Sequence, residues 1–388
     1  MYSSKQKMAL MNSEMMFLFV VLIISLSISC YEVGARNING TPTKSQETMD
    51  SDFECVGIYK QPSLKHPLLK NHKIQHRPSF ARDIVMDRFK IRRCPLGSVP
   101  IHRRKVRQQI NITSKSQLQH FHQYSQSNPG HHFATLDTTQ ATTYHGASAK
   151  ITIYNLTLQQ NQYSMSQIWL QNGPPSELNV IKVGSGVDPG YYGDTQTRIT
   201  GFWTVDNFQK TGCINYNAHC SGFVQVDPNV FLGAAISPTS VIGSRSQQFF
   251  SPFLVKQDQN TGHWWLSAHD NKSGYLNIGY WPKEILTHLN QGASLVRFGG
   301  ETFTPPNNMN SPPMGSGMLP QTHFGSSAYM SNLELFDSNY NSISVEPEFV
   351  TKNVDTNSNC YDLLYNGDQG SVFQQAFLFG GPGGQCGV

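Results

Sequence analysis

Ala149-Lys150-Ile151-Thr152-Ile153-Tyr154 alternates apolar and polar residues, which is the pattern of a half-buried β-strand. Residues with strand preference recur downstream in short runs, and Gly, Pro, Asn and Asp separate these runs at short intervals. The runs are Ser166-Gln-Ile-Trp-Leu, Arg198-Ile-Thr-Gly-Phe-Trp-Thr, Gly222-Phe-Val-Gln-Val and His263-Trp-Trp-Leu-Ser. One helix is predicted, from Pro282 to Leu289. The sequence therefore predicts an all-β fold, an antiparallel β-sandwich of two large sheets with few helices.

The N-terminus predicts export from the cytoplasm. Met15 to Ile28 is almost continuously apolar, and Lys5 and Lys7 precede it. This run is too short to span about 30 Å of hydrocarbon, so residues 1–29 are predicted to be a signal peptide, with a signal anchor as the alternative. A polar, flexible leader is predicted over residues 30–51.

Charge divides the remaining chain into two parts. Residues 55–130 hold 15 Lys/Arg against 2 Asp/Glu, a net charge of +13, whereas residues 131–388 hold 10 against 17, a net charge of −7. A basic segment can indicate nucleic acid or a membrane surface as a partner. Because an acidic partner is covalently attached, we predict instead a basic prosegment over 52–118 that docks in cis on a main domain over 131–388. The two are joined by a linker, 119–130, and neither nucleic acid nor a membrane is expected as a partner after signal removal.

Seven cysteines occur, and Cys30 is expected to leave with the signal peptide. In an oxidising compartment the other six favour disulfides. Neighbouring cysteines suggest Cys55–Cys94, Cys213–Cys220 and Cys360–Cys386, although six cysteines allow fifteen pairings. No cysteine pair has C-x-x-C spacing, and H-x-x-x-H spacing occurs once, at His72 and His76. Neither a metal nor a cofactor is predicted. Asn-x-Ser/Thr sequons predict candidate glycosylation sites at Asn39, Asn111, Asn155 and Asn271.

Short motifs along residues 166–383 carry a resemblance to a known family. They include Tyr192-Gly-Asp-Thr-Gln-Thr-Arg, Thr211-Gly-Cys-Ile-Asn-Tyr, Gly279-Tyr-Trp-Pro, Phe298-Gly-Gly-Glu, Pro313-Met-Gly-Ser-Gly and Asn359-Cys-Tyr-Asp. In this order they resemble the neprosin family, which is common in plants. The stretches that begin at Cys55 and Cys94 are similar to the family's activation peptide, so the resemblance extends over roughly residues 52–388.

The resemblance implies a secreted zymogen that is activated in acid and cleaves peptides or proteins, including Pro-rich ones, after proline. Two glutamates act without a cofactor: one exchanges protons with the attacking water and the leaving amine, and the other positions the water and stabilises the oxyanion. Two adjacent carboxyls cannot both ionise, so one retains a proton near pH 3–5. The expected location is extracellular, in the apoplast or cell wall, with the vacuole as an alternative.

The resemblance places one glutamate on Glu301 and the other on position 182. There the family pattern Ile-Glu-Ala-Gly-Trp becomes Ile181-Lys182-Val183-Gly184-Ser185. An ammonium group has no capacity to accept a proton at pH 3–5, so we predict impaired catalysis. Glu177 is a poor substitute because an odd offset points to the opposite face of a strand. A weakly active peptidase and a non-catalytic binding protein for Pro-rich peptides, cell-wall proteins or glycans both remain open.

Further residues carry weaker predictions. Tyr192, Trp203, Trp264 and Tyr280 are candidates for lining a substrate cleft, although such aromatic residues more often belong to the core. Asp194 and Arg198 are predicted to form an ion pair that braces a loop. Four histidines around the linker would become charged below a pH of about 6.5, which predicts either pH-sensing release of the prosegment or no role. They are His120, His122, His131 and His132.

Overall fold

Two large antiparallel sheets form the body of the protein, as the sequence predicts. The structure is a computed structural model. It describes residues 52–81, 93–103, 130–208, 213–214, 222–244, 246–270, 274–305, 310–321 and 323–387. The predicted signal peptide, the predicted leader and most of the predicted linker, with His120 and His122, lie outside the described residues. Within the described ranges, no helix is long and apolar enough to cross a membrane.

The first sheet has seven strands in the order β16-β3-β13-β5-β6-β7-β8. Each neighbouring pair is antiparallel. The strands are β3 (His131–Thr138), β5 (Tyr163–Asn172), β6 (Asn179–Val187), β7 (Arg198–Thr204), β8 (Cys213–Ile214), β13 (Leu295–Phe303) and β16 (Val350–Val354).

The second sheet has nine strands in the order β17-β18-β14-β4-β10-β11-β12-β9, and β15 pairs with β14. Strand β9 therefore lies at one edge of this sheet. The strands are β4 (Gly146–Thr152), β9 (Val224–Gln225), β10 (Phe250–Gln257), β11 (Trp264–Asp270), β12 (Gly274–Trp281), β14 (Ala328–Phe336), β15 (Ser342–Ser344), β17 (Asp362–Asp368) and β18 (Gln375–Gly380).

The core lies between the two sheets and follows the period-two pattern of the strands. On β4, Ala149 and Ile151 are buried in the core, whereas Lys150 between them is only half-buried. On β6, Ile181 and Val183 enter the same core from the opposite sheet. Successive side chains of a strand point to opposite faces, so the first sheet presents a second set of side chains on its outer face.

Within the described residues, helical structure is limited to single turns. Two short α-helices span Pro189–Tyr192 and Gly370–Phe373, and 3₁₀ turns span Ile58–Lys60, Pro62–Lys65, Pro67–Leu69, Pro175–Glu177, Lys283–Ile285, Leu289–Gln291 and Pro347–Phe349. The predicted helix from Pro282 to Leu289 is wrong. Leu286 is extended, and the side-chain oxygen of Asn179 accepts from the backbone N–H groups of His288 and Leu289. These tertiary hydrogen bonds replace the bonds that a continuous helix would make.

In the prosegment, β1 (Phe53–Gly57) and β2 (Ser98–His102) form a two-stranded antiparallel sheet, and the predicted disulfide Cys55–Cys94 is present. It packs against the main domain, and Ser51–Val388 form one compact unit. The amide group of Gln61 donates to the backbone carbonyl of Gln225 and accepts from its backbone N–H. This side chain thus satisfies backbone groups at the edge strand β9.

The structure tests one of the two other predicted disulfides, and it describes one of the four candidate glycosylation sites. The disulfide Cys360–Cys386 is present as predicted. Cys220 lies outside the described residues, so the Cys213–Cys220 pairing stays a prediction. Asn155 is exposed in the loop that follows β4, and glycosylation there stays a prediction. The other three sequon asparagines, Asn39, Asn111 and Asn271, lie outside the described residues.

Candidate active site

Lys182 and Glu301 face each other on the outer side of the seven-stranded sheet. Lys182 lies on β6 and Glu301 on β13, with β5 between the two strands. The Lys182 Nζ donates to the Glu301 Oε2 at 2.8 Å, and both side chains are only 1% exposed. The position that the resemblance assigned to a second glutamate therefore lies opposite Glu301, and its side chain is an ammonium group.

Strand parity explains why both side chains point to this face. Ile181 and Val183 enter the core, so Lys182 between them points outward. On β13, Phe298 packs in the core and Gly300 lies against Met314, so Glu301 also points outward. The site therefore depends only on the registers β13–β5 and β5–β6, which are regular over their full lengths.

The second oxygen of Glu301 has its own hydrogen bond. The Tyr163 hydroxyl donates to Oε1 at 2.9 Å, and His131 Nδ1 lies 3.5 Å from the same oxygen and 3.2 Å from the hydroxyl. Burial, together with the negative charge of Glu301, raises the pKa of Tyr163 well above its usual value. Tyr163 therefore stays a hydrogen-bond donor over the whole physiological range of pH.

Aromatic rings surround the Lys182 ammonium group. Its Nζ lies 5.5 Å from the ring centroid of Trp169 and 5.9 Å from that of Phe208. Trp169 and Phe202 are the register partners of Lys182 on β5 and β7. Such rings attract a cation and exclude water from it. The pair is thus a buried, hydrogen-bonded ion pair, which is costly to break from either side.

A further buried carboxyl group lies near Tyr163. Asp188 follows β6 directly, and its Oδ1 accepts from the backbone N–H of Tyr191. Burial raises the pKa of Asp188 to about 7, and its charge in turn contributes to the raised pKa of Tyr163. Asp188 is thus a carboxylic acid that carries a proton in an acidic medium. Asp188 was not among the residues predicted from the sequence, although an even offset from Lys182 predicts the same side-chain direction where the backbone stays extended.

Of the predicted cleft residues, Trp203 and Trp264 lie elsewhere. Both belong to the core between the sheets, and Trp264 Nε1 donates to the backbone carbonyl of Leu289. The prediction that they line a cleft is wrong because strand parity directs them inward. Tyr192 and Tyr280 are also buried, but at the prosegment: Tyr192 packs against His102, and the Tyr280 hydroxyl accepts from the backbone N–H of Gln75.

The contacts of Glu177, His131 and His132 decide the predictions made for them. Glu177 lies before β6, is 67% exposed and pairs with His288, so it does not replace the missing carboxyl. His131 and His132 are buried at the start of β3 rather than exposed in a linker. His132 lies 3.8 Å from Asp355, whereas His131 belongs to the Glu301 cluster.

Ser185 lies on the core side of β6, where the family pattern has Trp. It lines a small polar cavity between the sheets together with Thr152, Ser164 and Ser166. A Trp side chain at this position would be much larger than Ser and would lie on the side of the sheet opposite to Lys182 and Glu301. The change at 185 therefore affects the packing behind the site, in addition to the charge change at 182.

Arg198 forms the predicted ion pair with Asp194, at 2.7 Å, and also binds Asp52 of the prosegment at 2.9 Å. Its side chain is 1% exposed, and it donates to the backbone carbonyl of Gly233. We expect Arg198→Leu to lower the free energy of unfolding by about 2–3 kcal/mol because these charge-assisted hydrogen bonds are lost. Urea unfolding at pH 6 would measure this loss.

Arg103→Leu is the matched control, because Arg103 pairs with Glu54 at 3.8 Å and both side chains are about half exposed. An exposed pair contributes about 0–1 kcal/mol. Equal losses from the Arg198 and Arg103 variants would contradict a bracing role for Arg198.

Comparisons with known proteins agree with the motifs. The family model for neprosin matches residues 160–382, which are more than half of the chain. This chain belongs to the neprosin family. The model of the neprosin activation peptide matches residues 45–150, which supports a prosegment in cis that extends into the first strands of the body.

Solved structures resemble this chain only distantly. Two crystal structures of scytalido-glutamic peptidase, with a peptide-based transition-state analogue and with a transition-state analogue inhibitor, share 9% and 11% identity with this neprosin-family chain. Each alignment has a TM-score of 0.34 and covers 65% of this chain and 98% of the other. The β-porphyranase BpGH16B from Bacteroides plebeius shares 8% identity with a TM-score of 0.24, over 44% of this chain and 56% of that one.

Proposed function

We propose that this chain is a secreted neprosin-family protein whose inherited acid-peptidase site is catalytically impaired. The observation that carries the proposal is the 2.8 Å contact between Lys182 and Glu301. Membership of the family supports a protease-type function for the fold. The identity of residue 182 decides how much of that function remains.

The chemistry of the site supports impairment. A pair of carboxyls can hold one proton between them and pass it to the leaving amine. Here one Glu301 oxygen accepts from Lys182 and the other from Tyr163. A carboxylate held by two donors is a weaker base, and neither donor accepts a proton at pH 3–5. Compared with a site that holds two carboxyl groups, no neutral carboxylic acid is available to stabilise the oxyanion. Only one carboxyl group, instead of two, can position the attacking water.

We propose that the ligands are peptides, with a preference at proline inherited from the family. An apolar cluster on the same face as Lys182 supports this choice. It comprises Tyr163, Met165, Val180, Phe202, Phe208 and Phe303. These side chains are at most 7% exposed in the full-length chain, so we propose that they become available to pack against a prolyl ring only after the prosegment is removed. The signal peptide and the sparse charges of the chain suit an acidic extracellular compartment, the apoplast or cell wall, or a vacuole.

A second candidate function is binding without cleavage. The apolar cluster is intact although the acid pair is lost, so the face retains a means of holding Pro-rich peptides or cell-wall proteins. We expect such a protein to bind a Pro-rich peptide at pH 4 without turnover. Glycans are a further ligand class of the same candidate.

The test compares the wild type with Lys182→Met/Glu301→Gln, a double variant that removes both charges at once. Both proteins are acid-treated, and removal of the prosegment is checked by mass spectrometry. Cleavage of a Pro-containing fluorogenic peptide is then followed between pH 2.5 and 5. We expect equal, near-background rates. A wild-type rate at least about tenfold above that of the double variant would overturn the proposal, and Asp188→Asn would then test the remaining buried carboxyl.

A further inference from the structure

Two histidines meet where the prosegment contacts the main domain. His72 belongs to the prosegment and His263 immediately precedes β11, and their ring centroids lie 5.2 Å apart. Their side chains are 4% and 8% exposed. Both rings pack against Tyr280, with centroid distances of 5.7 Å and 5.0 Å. The contact is therefore a buried junction of two imidazoles and one phenol.

Hydrogen bonds fix His263 in its neutral form. The backbone N–H of Lys283 donates to His263 Nδ1 at 3.1 Å, so this nitrogen acts as an acceptor. Protonation of Nδ1 would place two N–H donors against each other. The bond, and with it the position of the ring, would be lost.

His72 is part of the network that holds the prosegment in place. Its Nε2 lies 2.7 Å from the Tyr280 hydroxyl, which also accepts from the backbone N–H of Gln75 at 3.0 Å. The Gln75 side chain in turn donates to Asp258 and accepts from Trp265 Nε1. A displacement of His72 would therefore disturb several contacts between the prosegment and the domain at once.

The groups around the junction do not favour protonation of His72 or His263. Glu284 Oε2 lies 3.9 Å from Nδ1 of each histidine and is only partly buried. Lys283 opposes a further positive charge, and each histidine opposes the other. Burial lowers the pKa of His72 and lowers that of His263 to about 4, although Glu284 counteracts both shifts.

We propose that His72 and His263 form an acid-operated latch, which holds the prosegment on the domain while both imidazoles are neutral and releases it when they are protonated. The latch concerns prosegment docking and does not depend on whether the cleft cleaves peptides. Three potential donor groups, His72, His263 and Glu284, lie within 4.8 Å of one another. The backbone hydrogen bond to His263 Nδ1 favours a proton-sensitive junction over a bound cation.

The lowered pKa values of the two histidines determine how docking of the prosegment depends on pH. A histidine whose pKa is lowered on docking binds a proton more readily when released, so docking is complete above about pH 6.5 and weakens as the pH falls towards 4. For His263 alone, the docking equilibrium constant falls on the order of 100-fold between pH 7 and pH 4. Asp258 does not act in this window: burial alone would raise its pKa, but hydrogen bonds from Ser79 and Gln75 lower it.

Hydrogen exchange of the full-length chain tests the latch. The readout is the protection of the Gln75 and Ser79 amides, whose hydrogen bonds to Tyr280 and Asp258 exist only in the docked state. Exchange rates are divided by the intrinsic rates at each pH. We expect protection to fall on the order of 100-fold from pH 7 to pH 4 in the wild type, while amides of the central strands β5 and β6 stay protected.

The test variant is His72→Gln/His263→Asn. The Gln amide can replace Nε2 in the hydrogen bond with Tyr280 as either donor or acceptor, and the Asn oxygen can replace Nδ1 as an acceptor from Lys283, but neither side chain titrates. We expect this variant to retain its protection within about threefold from pH 7 to pH 4. His66→Asn is the matched control, because His66 Nδ1 accepts from the Leu68 backbone within the prosegment itself, and this variant should behave like the wild type.

Three outcomes would overturn the proposal. The first is wild-type protection that persists at pH 4, and the second is an equal loss in the double variant and the wild type. The third is a loss of protection at pH 7 when EDTA is added, which would show that a bound cation and not a pair of neutral imidazoles closes the junction. Protection of the β5 and β6 amides confirms in each case that the variant is folded.

Discussion

Glu301→Gln is expected to lower the free energy of unfolding by about 3–5 kcal/mol at pH 6. The substitution preserves the size of the side chain but leaves the Lys182 ammonium group buried without its carboxylate. Trp169 and Phe208 exclude water from this cation, so hydration cannot compensate for the loss. Removing one member of a buried ion pair typically costs this amount. Urea unfolding, analysed by linear extrapolation, measures the change.

The control for this result is Lys182→Met/Glu301→Gln. Replacing both members removes the unpaired charge, so the double variant should regain more than half of the lost stability. A double-mutant cycle with Lys182→Met then gives the coupling energy of the pair. If the two single losses simply add in the double variant, Lys182 and Glu301 are not coupled and the geometry of the site is wrong. The coupling should change little between 0.05 and 0.5 M salt, because buried charges are weakly screened.

Much of the fold could be predicted from the sequence because strands carry a local signal. The alternation around Ile151 identifies a strand with one buried face, and the same parity on β6 and β13 turns Lys182 and Glu301 to the outer face. Family motifs were still needed to place these two residues opposite each other, since they lie on strands separated by β5. Their register depends on hydrogen bonds between segments more than 100 residues apart.

The surroundings of the site could not be predicted in the same way. Trp169 contacts the ammonium group because β5 pairs with β6 in one register, and a shift by one residue would turn it into the core. Trp264 was a cleft candidate by residue type alone, and its parity places it in the core. The alternation of side-chain direction along a strand distinguishes Trp169 from Trp264, but it can be applied only when the strand boundaries are known.

Contacts of the prosegment were the least predictable part. The opposite net charges of the prosegment and the main domain indicate that the two dock on each other. They do not indicate which residues are in contact. His72 and His263 are 191 positions apart in sequence, and neither was predicted to be a functional residue. The histidines that were singled out for their position around the predicted linker, His131 and His132, instead lie buried in a strand. The helix predicted after Pro282 was replaced by turns because Asn179, a residue of a distant strand, binds its backbone.

Lys182→Glu is expected to raise the rate of peptide cleavage at pH 3–5 by at least about 100-fold over the wild type. The new carboxyl would lie opposite Glu301, and two adjacent buried carboxyls share one proton. One can then act as a base towards water while the other acts as an acid, and each such role contributes about 10²–10⁴-fold in rate. Tyr163 remains in place as a donor to Glu301.

The same substitution has a predictable effect on stability. One of the two carboxyls must keep a proton when the protein is folded, so its pKa is raised above the unfolded value. A raised pKa contributes stability at low pH that is lost as the pH rises. The stability of Lys182→Glu relative to the wild type should therefore be greater at pH 4 than at pH 7. Thermal unfolding at the two pH values checks that the variant is folded under the assay conditions.

The initial rate of cleavage of a Pro-containing fluorogenic peptide at pH 4 tests the account most directly. Four proteins are compared: the wild type, Lys182→Glu, Lys182→Glu/Glu301→Gln and Lys182→Met/Glu301→Gln. The predicted result is activity in Lys182→Glu alone, because only this protein holds two facing carboxyls. A wild type that cleaves as fast as Lys182→Glu would contradict the account, since the Lys182–Glu301 ion pair would then support the reaction that it is expected to prevent.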